Sequence, residues 1–213
     1  VQGRAYPLNE PNMPRRGPGG VGDERVTTLH AILDFLDVER SARYRPSPAR
    51  TYCNVYAHDY CHLAGVYLPR VWWTADALPD LIEGRTRVVH YGQTVTELNA
   101  NALYDWLGEW GPAFGWAGVS ELTGLQDAAN EGEVAVVCAK ARPPGRSGHI
   151  TCVIPERATE TASRRGTVVV AALQSQAGRH NYRRFTDAWW ETRAGDFEAV
   201  GFWRCDPTGV SVT

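Results

Sequence analysis

The chain has 213 residues, 43% of them hydrophobic, and its 22 basic and 24 acidic residues leave a formal charge of -2. That is enough apolar content to bury one good core, so a single domain is expected. The charge balance excludes a general nucleic-acid binder, which carries a net basic surface or a dense basic stripe, and no run approaches the roughly 18 apolar residues of a membrane span. Almost all of the basic residues are arginine, Lys140 being the only lysine, and no function is read from that.

Residues 1–22 hold Pro7, Pro11, Pro14 and Pro18 with Gly17, Gly19, Gly20 and Gly22. This composition sustains neither helix nor sheet, so a flexible tail or linker is expected there, with the folded domain over 23–213. No signal-type apolar stretch is visible at the start, and since the chain begins at Val1 a leader is free to have been removed. With Asp23 as N-cap, Val26, Leu29, Ile32, Leu33 and Leu36 recur at helical spacing to about Arg40. Pro46 and Pro48 stop any helix, and a new one is expected from Cys53 to about Ala64, its face carrying Tyr56, Tyr60, Leu63 and Ala64, with Gly65 as its stop. Val66 to Trp73 reads as a short strand or packed loop. Thr94-Val95-Thr96-Glu97 has the form of a capping box for a helix carrying Leu98, Ala102, Leu103, Trp106 and Trp110 up to Gly111-Pro112. A lesser helix is expected from Ser120 to Asn130, with Leu122, Leu125 and Ala129 inward.

The period then changes. Residues 133–141, 149–155, 167–174 and 197–205 are rich in Val, Ile and aromatics and predict strands, with a helix capped by Thr186 and carrying Trp189 and Trp190 before the last. Helices first and strands afterward indicate an α+β domain in which an antiparallel sheet packs on the helix that begins at Cys53.

Five cysteines, Cys53, Cys61, Cys138, Cys152 and Cys205, form no C-x-x-C pair, and their odd number leaves at least one thiol free. Cys138 and Cys152 fall on successive strands, where two packed thiols are favoured over a disulfide. Cys53 differs from the rest by its position. The first N–H groups of a helix are unpaired and partly positive, and they stabilise a thiolate. Downstream, Ser147-Gly148-His149-Ile150-Thr151 places a histidine at the head of an apolar strand. Acyl transfer by a thiol needs a thiolate, a base, a group that orients the base, and donors for the oxyanion. Cys53 and His149 supply the first two, and the Cys53 backbone N–H is a natural oxyanion donor. For the third, Gln174 and Gln176 share strand parity, so alternation leaves both open. Asn181, close to His180 after Gly178, is a secondary candidate, as are Tyr52 and Asn54 beside the thiol.

A competing pattern lies on the same helix. His58-Asp59-Tyr60-Cys61-His62 resembles the zinc-protease motif H-E-x-x-H with Asp in place of Glu. Asp is one methylene shorter than the usual general base and no third ligand with an evident motif follows, so no metal and no cofactor are expected. Among the eight tryptophans, Trp106, Trp110, Trp116 and Trp203 read as packing residues. One member of each pair, Trp72-Trp73 and Trp189-Trp190, is expected to be exposed, and Trp72 and Trp73 are candidates for a substrate groove.

The segments RYRPSPARTYCNVYAHDY, ELNANALYDWL, FGW, GEVAVV, GHITCVIPE and QSQAGRHNY, in that order, resemble the papain-like cell-wall peptidases and amidases, the broad group holding the CHAP-type and NlpC-type domains, and most of all phage-lysin and secreted-toxin members. The likeness runs from about residue 30 to 204. It implies a papain-like fold, with N-terminal helices including the nucleophile helix on an antiparallel sheet. It also implies Cys53 as nucleophile, His149 as base and Gln176 of the Q-A-G motif beside the imidazole. The activity implied is hydrolysis of an amide bond in peptidoglycan, by a stem-peptide endopeptidase or an N-acetylmuramoyl-L-alanine amidase. Such a protein is secreted or delivered to the periplasm or cell wall, with peptidoglycan as partner and an immunity protein or delivery machinery as further ones. A papain-like protease or deamidase toxin acting on a protein is the alternative that the same residues allow, and a zinc metallopeptidase built on His58 and His62 is a lesser one. Two departures stand out: Arg70 occupies a turn where a histidine is expected, and the loop from Arg157 to Gly166 is long and charged.

Overall fold

The computed structural model describes residues 7–17, 20, 22–142 and 145–206. Helices are α1 (Asp23–Leu36), α2 (Cys53–Leu63), α3 (Leu78–Ile82), α4 (Ala100–Glu109), α5 (Leu122–Asn130) and α6 (Trp189–Thr192). Strands are β1 (Val71–Trp73), β2 (Val95–Glu97), β3 (Trp116–Val119), β4 (Val134–Ala141), β5 (His149–Val153), β6 (Ser163–Arg165), β7 (Val168–Ala171), β8 (Leu173–Ala177), β9 (Asn181–Thr186) and β10 (Phe197–Cys205). The class is α+β. A six-stranded sheet of order β3-β10-β4-β5-β8-β9 is antiparallel throughout, and β1-β2 and β6-β7 form separate two-stranded ribbons.

The sheet is covered on both faces, which explains why β4 reads as an apolar run from Val134 to Ala139, before Lys140, rather than an alternating one. Val134, Val136 and Cys138 face the larger core with α1, α2 and α4, and Ala135, Val137 and Ala139 face a second core with α5, α6 and Val169 of β7. Burying each of the three valines stabilises the fold by roughly 1.5–3 kcal/mol. Along β5 the same alternation sends Ile150 and Cys152 toward α2 and Val153 to the opposite core.

Local signals and tertiary pairing disagree at several points. Helix α1 stops at Leu36, not Arg40, because Asp37 turns left-handed (φ 38°) and its N–H caps Leu33 O. Asp23 is the first helical residue, not the cap, which is Gly22. The expected capping box is no cap at all: Val95–Glu97 pairs with Val71–Trp73, and Asn99 caps α4 by accepting from the Ala102 N–H. The strand expected over 167–174 is divided between the β6-β7 ribbon and the six-stranded sheet, where β8 pairs with β5 and β9. Trp189 and Trp190 are both buried, since a short helix places them in an aromatic cluster with Phe197 and Phe202. All five cysteines are free, and across the β4-β5 ladder Cys138 opposes Ile150 while Cys152 opposes Val136. Of the expected tail, Leu8 is buried, Met13 packs on the larger core and the Arg16 N–H donates to Leu63 O. Residues 1–6, 18, 19 and 21 of that tail lie outside the described residues, as do Pro143, Pro144 and 207–213.

Two polar locks fix α2 against its surroundings. The Asp59 carboxylate, fully buried, receives two bonds from the Arg43 guanidinium (2.6 and 3.0 Å) and one from the Tyr44 hydroxyl (2.8 Å). Burial and the neighbouring carboxylate push the Tyr44 hydroxyl well above its usual range, so it stays a donor. On the other flank Ser175 Oγ donates to Tyr182 O, which leaves the Tyr56 hydroxyl to donate to Ser175 at 2.5 Å. Removing one partner of a buried ion pair strands the other charge. Asp59→Ala should therefore lower unfolding stability by about 3 kcal/mol, read as a drop in denaturant midpoint at unchanged slope; a loss below roughly 1 kcal/mol, the scale of an exposed pair, would contradict this role.

Candidate active site

Cys53 belongs to the α2 side of the sheet, whereas His149 has the parity of Val153 and belongs to the other. They meet because the sheet opens between β5 and β8. That ladder holds only Cys152↔Ser175 and Val153↔Gln174 and does not continue to the start of β5. The first turn of α2 lies at this opening. The Ile150 and Asn54 N–H groups stand by the Cys53 sulfur and favour its thiolate. Helix α2 has no side-chain cap, so its first N–H groups are available to a thiolate and to chemistry beside it.

The thiol and the imidazole lie close enough that each shifts the titration of the other. Burial pushes the Cys53 thiol up, but the His149 bond and charge together with the two backbone N–H groups outweigh it, and the net shift is down. Burial alone lowers His149, yet Cys53 and Gln176 favour its charged form, and the net shift is up. The other four cysteines show what burial does without such a partner. Cys61, Cys138 and Cys152 are driven far above the usual thiol range, and Cys205 is pushed up to about 12.

The other imidazole nitrogen is also fixed. His149 Nε2 lies 2.6 Å from Gln176 Oε1, and Gln176 Nε2 donates to His180 O at 3.2 Å. A carbonyl only accepts, so His180 sets the amide orientation; Gln176 Oε1 then only accepts, so Nε2 carries the proton. The nitrogen left toward Cys53 is Nδ1. Trp189 stands edge-on to the imidazole with ring centroids 4.9 Å apart, shielding the pair.

Two glycines stand at close approaches, and the first is required there. A Cβ on Gly148 would meet Ala139 O at 1.9 Å and Asn101 Oδ1 at 2.7 Å, so no side chain fits where the chain turns into β5. Asn101 of α4 fastens this turn, accepting from the N–H groups of Ala141 and Gly148 and donating to Arg146 O. A Cβ on Gly178 would crowd Gln176 Nε2 (3.2 Å). The Gly-His and Gln-Ala-Gly motifs thus have steric causes in their packing.

Cys53, His149 and Gln176 open into a cleft of 830 Å³ whose walls include Tyr52, Asn54, Gly178, His180 and Trp189. The remaining expected residues go elsewhere. Gln174 is buried and does not touch the imidazole: its Oε1 accepts from Thr151 (2.7 Å) and Trp189 Nε1 (3.0 Å). Asn181 donates to Val38 O and Tyr44 O, tying β9 to the segment after α1. The Asn54 side chain donates to Leu98 O and Glu97, so only its backbone serves the sulfur. Tyr52 is the N-cap residue of α2 and forms part of the wall. Trp72 is not a groove residue; it packs against Trp106, Trp110 and Phe114, and neither it nor Trp73 lines the cleft. His58 and His62 stack with centroids 6.1 Å apart, but Asp59 between them is taken up by Arg43 and Tyr44, and His58 Nδ1 sits on Leu68 O. Among the described residues no group of three His, Cys, Asp or Glu side chains is placed to hold a metal ion, and no helix is long and apolar enough to cross a membrane. Arg70 pairs with Glu97 at the cleft margin (3.3 Å), while residues 157–166 supply none of the cleft's lining. Trp189 and Asn101 are the functional neighbours that sequence reasoning missed; neither carries a local signal, because each acts across a long sequence separation.

No protein-family model matches the chain, and no curated protein matches it.

The geometry makes two measurable demands. Cys53 should alkylate with iodoacetamide at pH values below those of an ordinary thiol, while the other four cysteines stay unlabelled in the folded chain. Without the imidazole, burial dominates, so at pH 7 His149→Ala should react at least about tenfold more slowly, one pKa unit being a factor of ten in thiolate; equal rates would refute the pairing. Gly148→Ala should slow the same reaction at pH 7 by a comparable factor by displacing His149, and a fold-intact variant with wild-type alkylation would show that the turn tolerates a side chain.

Proposed function

We propose that this protein is a cysteine-dependent hydrolase of peptide or amide bonds with a papain-like arrangement, acting on peptidoglycan as a stem-peptide endopeptidase or N-acetylmuramoyl-L-alanine amidase. The observation that carries the chemistry is the relay from the Cys53 thiol through His149 to Gln176, the last held by His180 O. The wall as substrate rests on the likeness of the ordered motifs around these residues to cell-wall peptidases and amidases.

In this reading the Cys53 thiolate attacks the carbonyl carbon of the scissile amide, and the tetrahedral oxyanion forms against the Cys53 N–H at the start of α2. The C–N bond breaks as the His149 Nδ1 proton passes to the leaving amine, leaving a thioester on Cys53. Neutral His149 then takes a proton from water, the hydroxide oxygen attacks the thioester, and the acid departs as the sulfur regains its charge and His149 keeps the proton. Gln176 holds the ring so that Nδ1 faces the sulfur in both halves. A chain of this activity acts in the cell wall or periplasm, reached by secretion or delivery.

The test is digestion of purified sacculi by the full chain, followed by mass analysis of the released fragments. Wild type should solubilise muropeptides, and Cys53→Ala should lose at least roughly 10³-fold in rate; sacculi cleared equally by both would end the proposal. Fragment masses decide between cleavage inside the stem peptide and cleavage at the glycan.

A further inference from the structure

Each segment that delivers a site residue also delivers an arginine three positions away: Arg50 before Cys53, Arg146 before His149 and Arg179 after Gln176. A fourth, Arg193, follows the helix that carries Trp189. All four line the cleft and all are exposed. Countercharge is scarce. Arg179 is braced by the carbonyls of Ser47 (3.2 Å) and Pro48 (2.8 Å), which hold it at the rim without neutralising it. Arg146 and Arg193 share one carboxylate, Asp196, at 3.7 and 2.8 Å. Arg50 has no ion pair among the described residues. Glu97, the one carboxylate in the lining, is matched by Arg70 from outside it. So a chain of formal charge -2 gathers four guanidiniums around its thiol, with Glu97 the one carboxylate in the lining and Arg70 already on it. Low-dielectric walls focus such a field into the cleft, and guanidinium forks bind carboxylates in bidentate fashion. The arginines come from two walls: Arg50 and Arg179 flank the Cys53 and Gln176 segments, and Arg146 and Arg193 meet over Asp196 beside His149.

We propose that the cleft selects an acidic peptide, one with free carboxylates near the scissile amide, held by Arg50 and Arg179 on one wall and by Arg146 and Arg193 on the other. This deepens the hydrolase reading and rests on it for the bond, though not for the charge. For a wall substrate it means stem peptides with free carboxylates in preference to the same peptides with those groups amidated.

Two probes of the full chain test this. The first compares alkylation of Cys53 by anionic iodoacetate and neutral iodoacetamide, in wild type and in the variant combining Arg50→Gln, Arg146→Gln, Arg179→Gln and Arg193→Gln. At about 0.01 M ionic strength the iodoacetate-to-iodoacetamide rate ratio should be about tenfold higher in wild type, and the two proteins should converge near 1 M, where the screening length falls from about 30 to about 3 Å. A ratio insensitive to both salt and the substitutions overturns the proposal. A thiol inert to both reagents sinks the hydrolase reading and leaves the second probe to decide. There, Cys53→Ala is titrated with wall stem peptides bearing free carboxylates and with the same peptides amidated by carbodiimide and ammonia. Amidation should weaken binding at least about tenfold, the order of one lost charged contact; equal affinity, or no binding of either, overturns the inference. Tight binding of the free acids without hydrolysis by wild type keeps the charge selection and removes the hydrolase, whereas hydrolysis of both forms at one rate does the reverse.

Discussion

The sheet must come apart between β5 and β8 for the thiol and the imidazole to touch. In a fully zipped sheet the two faces are separate compartments, and a side chain from the α2 face never reaches one with the parity of Val153. Here pairing is limited to Cys152↔Ser175 and Val153↔Gln174. The start of β5 is left without a β8 partner where it meets the Cys53 sulfur. Much of the surrounding structure serves to keep that opening in place: Asp59 and Tyr56 anchor α2 on two flanks, Asn101 fastens the turn into β5, and Gly148 lets that turn approach β4.

The electrostatics of the site follow from a contest whose terms are visible within one molecule. Five thiols are buried, and burial disfavours a thiolate at every one of them. Only at Cys53 do an imidazole and two backbone N–H groups reverse the outcome. What distinguishes this cysteine is its set of partners, not its exposure, and those partners come from a helix terminus and a strand start that pairs with β4 on one side only.

What was legible in the sequence was local. A cysteine just after a proline-broken stretch, a glycine-histidine at the head of an apolar run and an amide two residues before a glycine each carry a short-range grammar, and the structure brings those three side chains together. The helices and most strands were legible for the same reason. Where a local signal had a distant competitor, it lost. Thr94 to Glu97 matches a capping box in every residue, but Val71–Trp73 offers strand pairing and takes it. Trp72 looked free for a groove because nothing nearby in sequence reveals that Trp106, Trp110 and Phe114 fold over it. Gln174 and Gln176 are equivalent by parity, and only Thr151 and Trp189, which claim the first, separate them. The arginines were passed over as a compositional habit; their common spacing from the three motifs acquires meaning only once the motifs converge.

Gln174 has no vacancy left. Its oxygen accepts hydrogen bonds from Thr151 and Trp189, and its nitrogen donates to Ala172 O and Asp187 O. A glutamate of the same shape would set an anion against two carbonyls, and a methionine would abandon four partners at once, so the position has almost no freedom to drift. Through Trp189, whose indole it holds and whose ring stands against His149, it is joined to the imidazole. The acid-base tuning of the cleft is thus tied to the integrity of the sheet's far side, and a lineage that altered that second core would change the reactivity of a sulfur it never contacts.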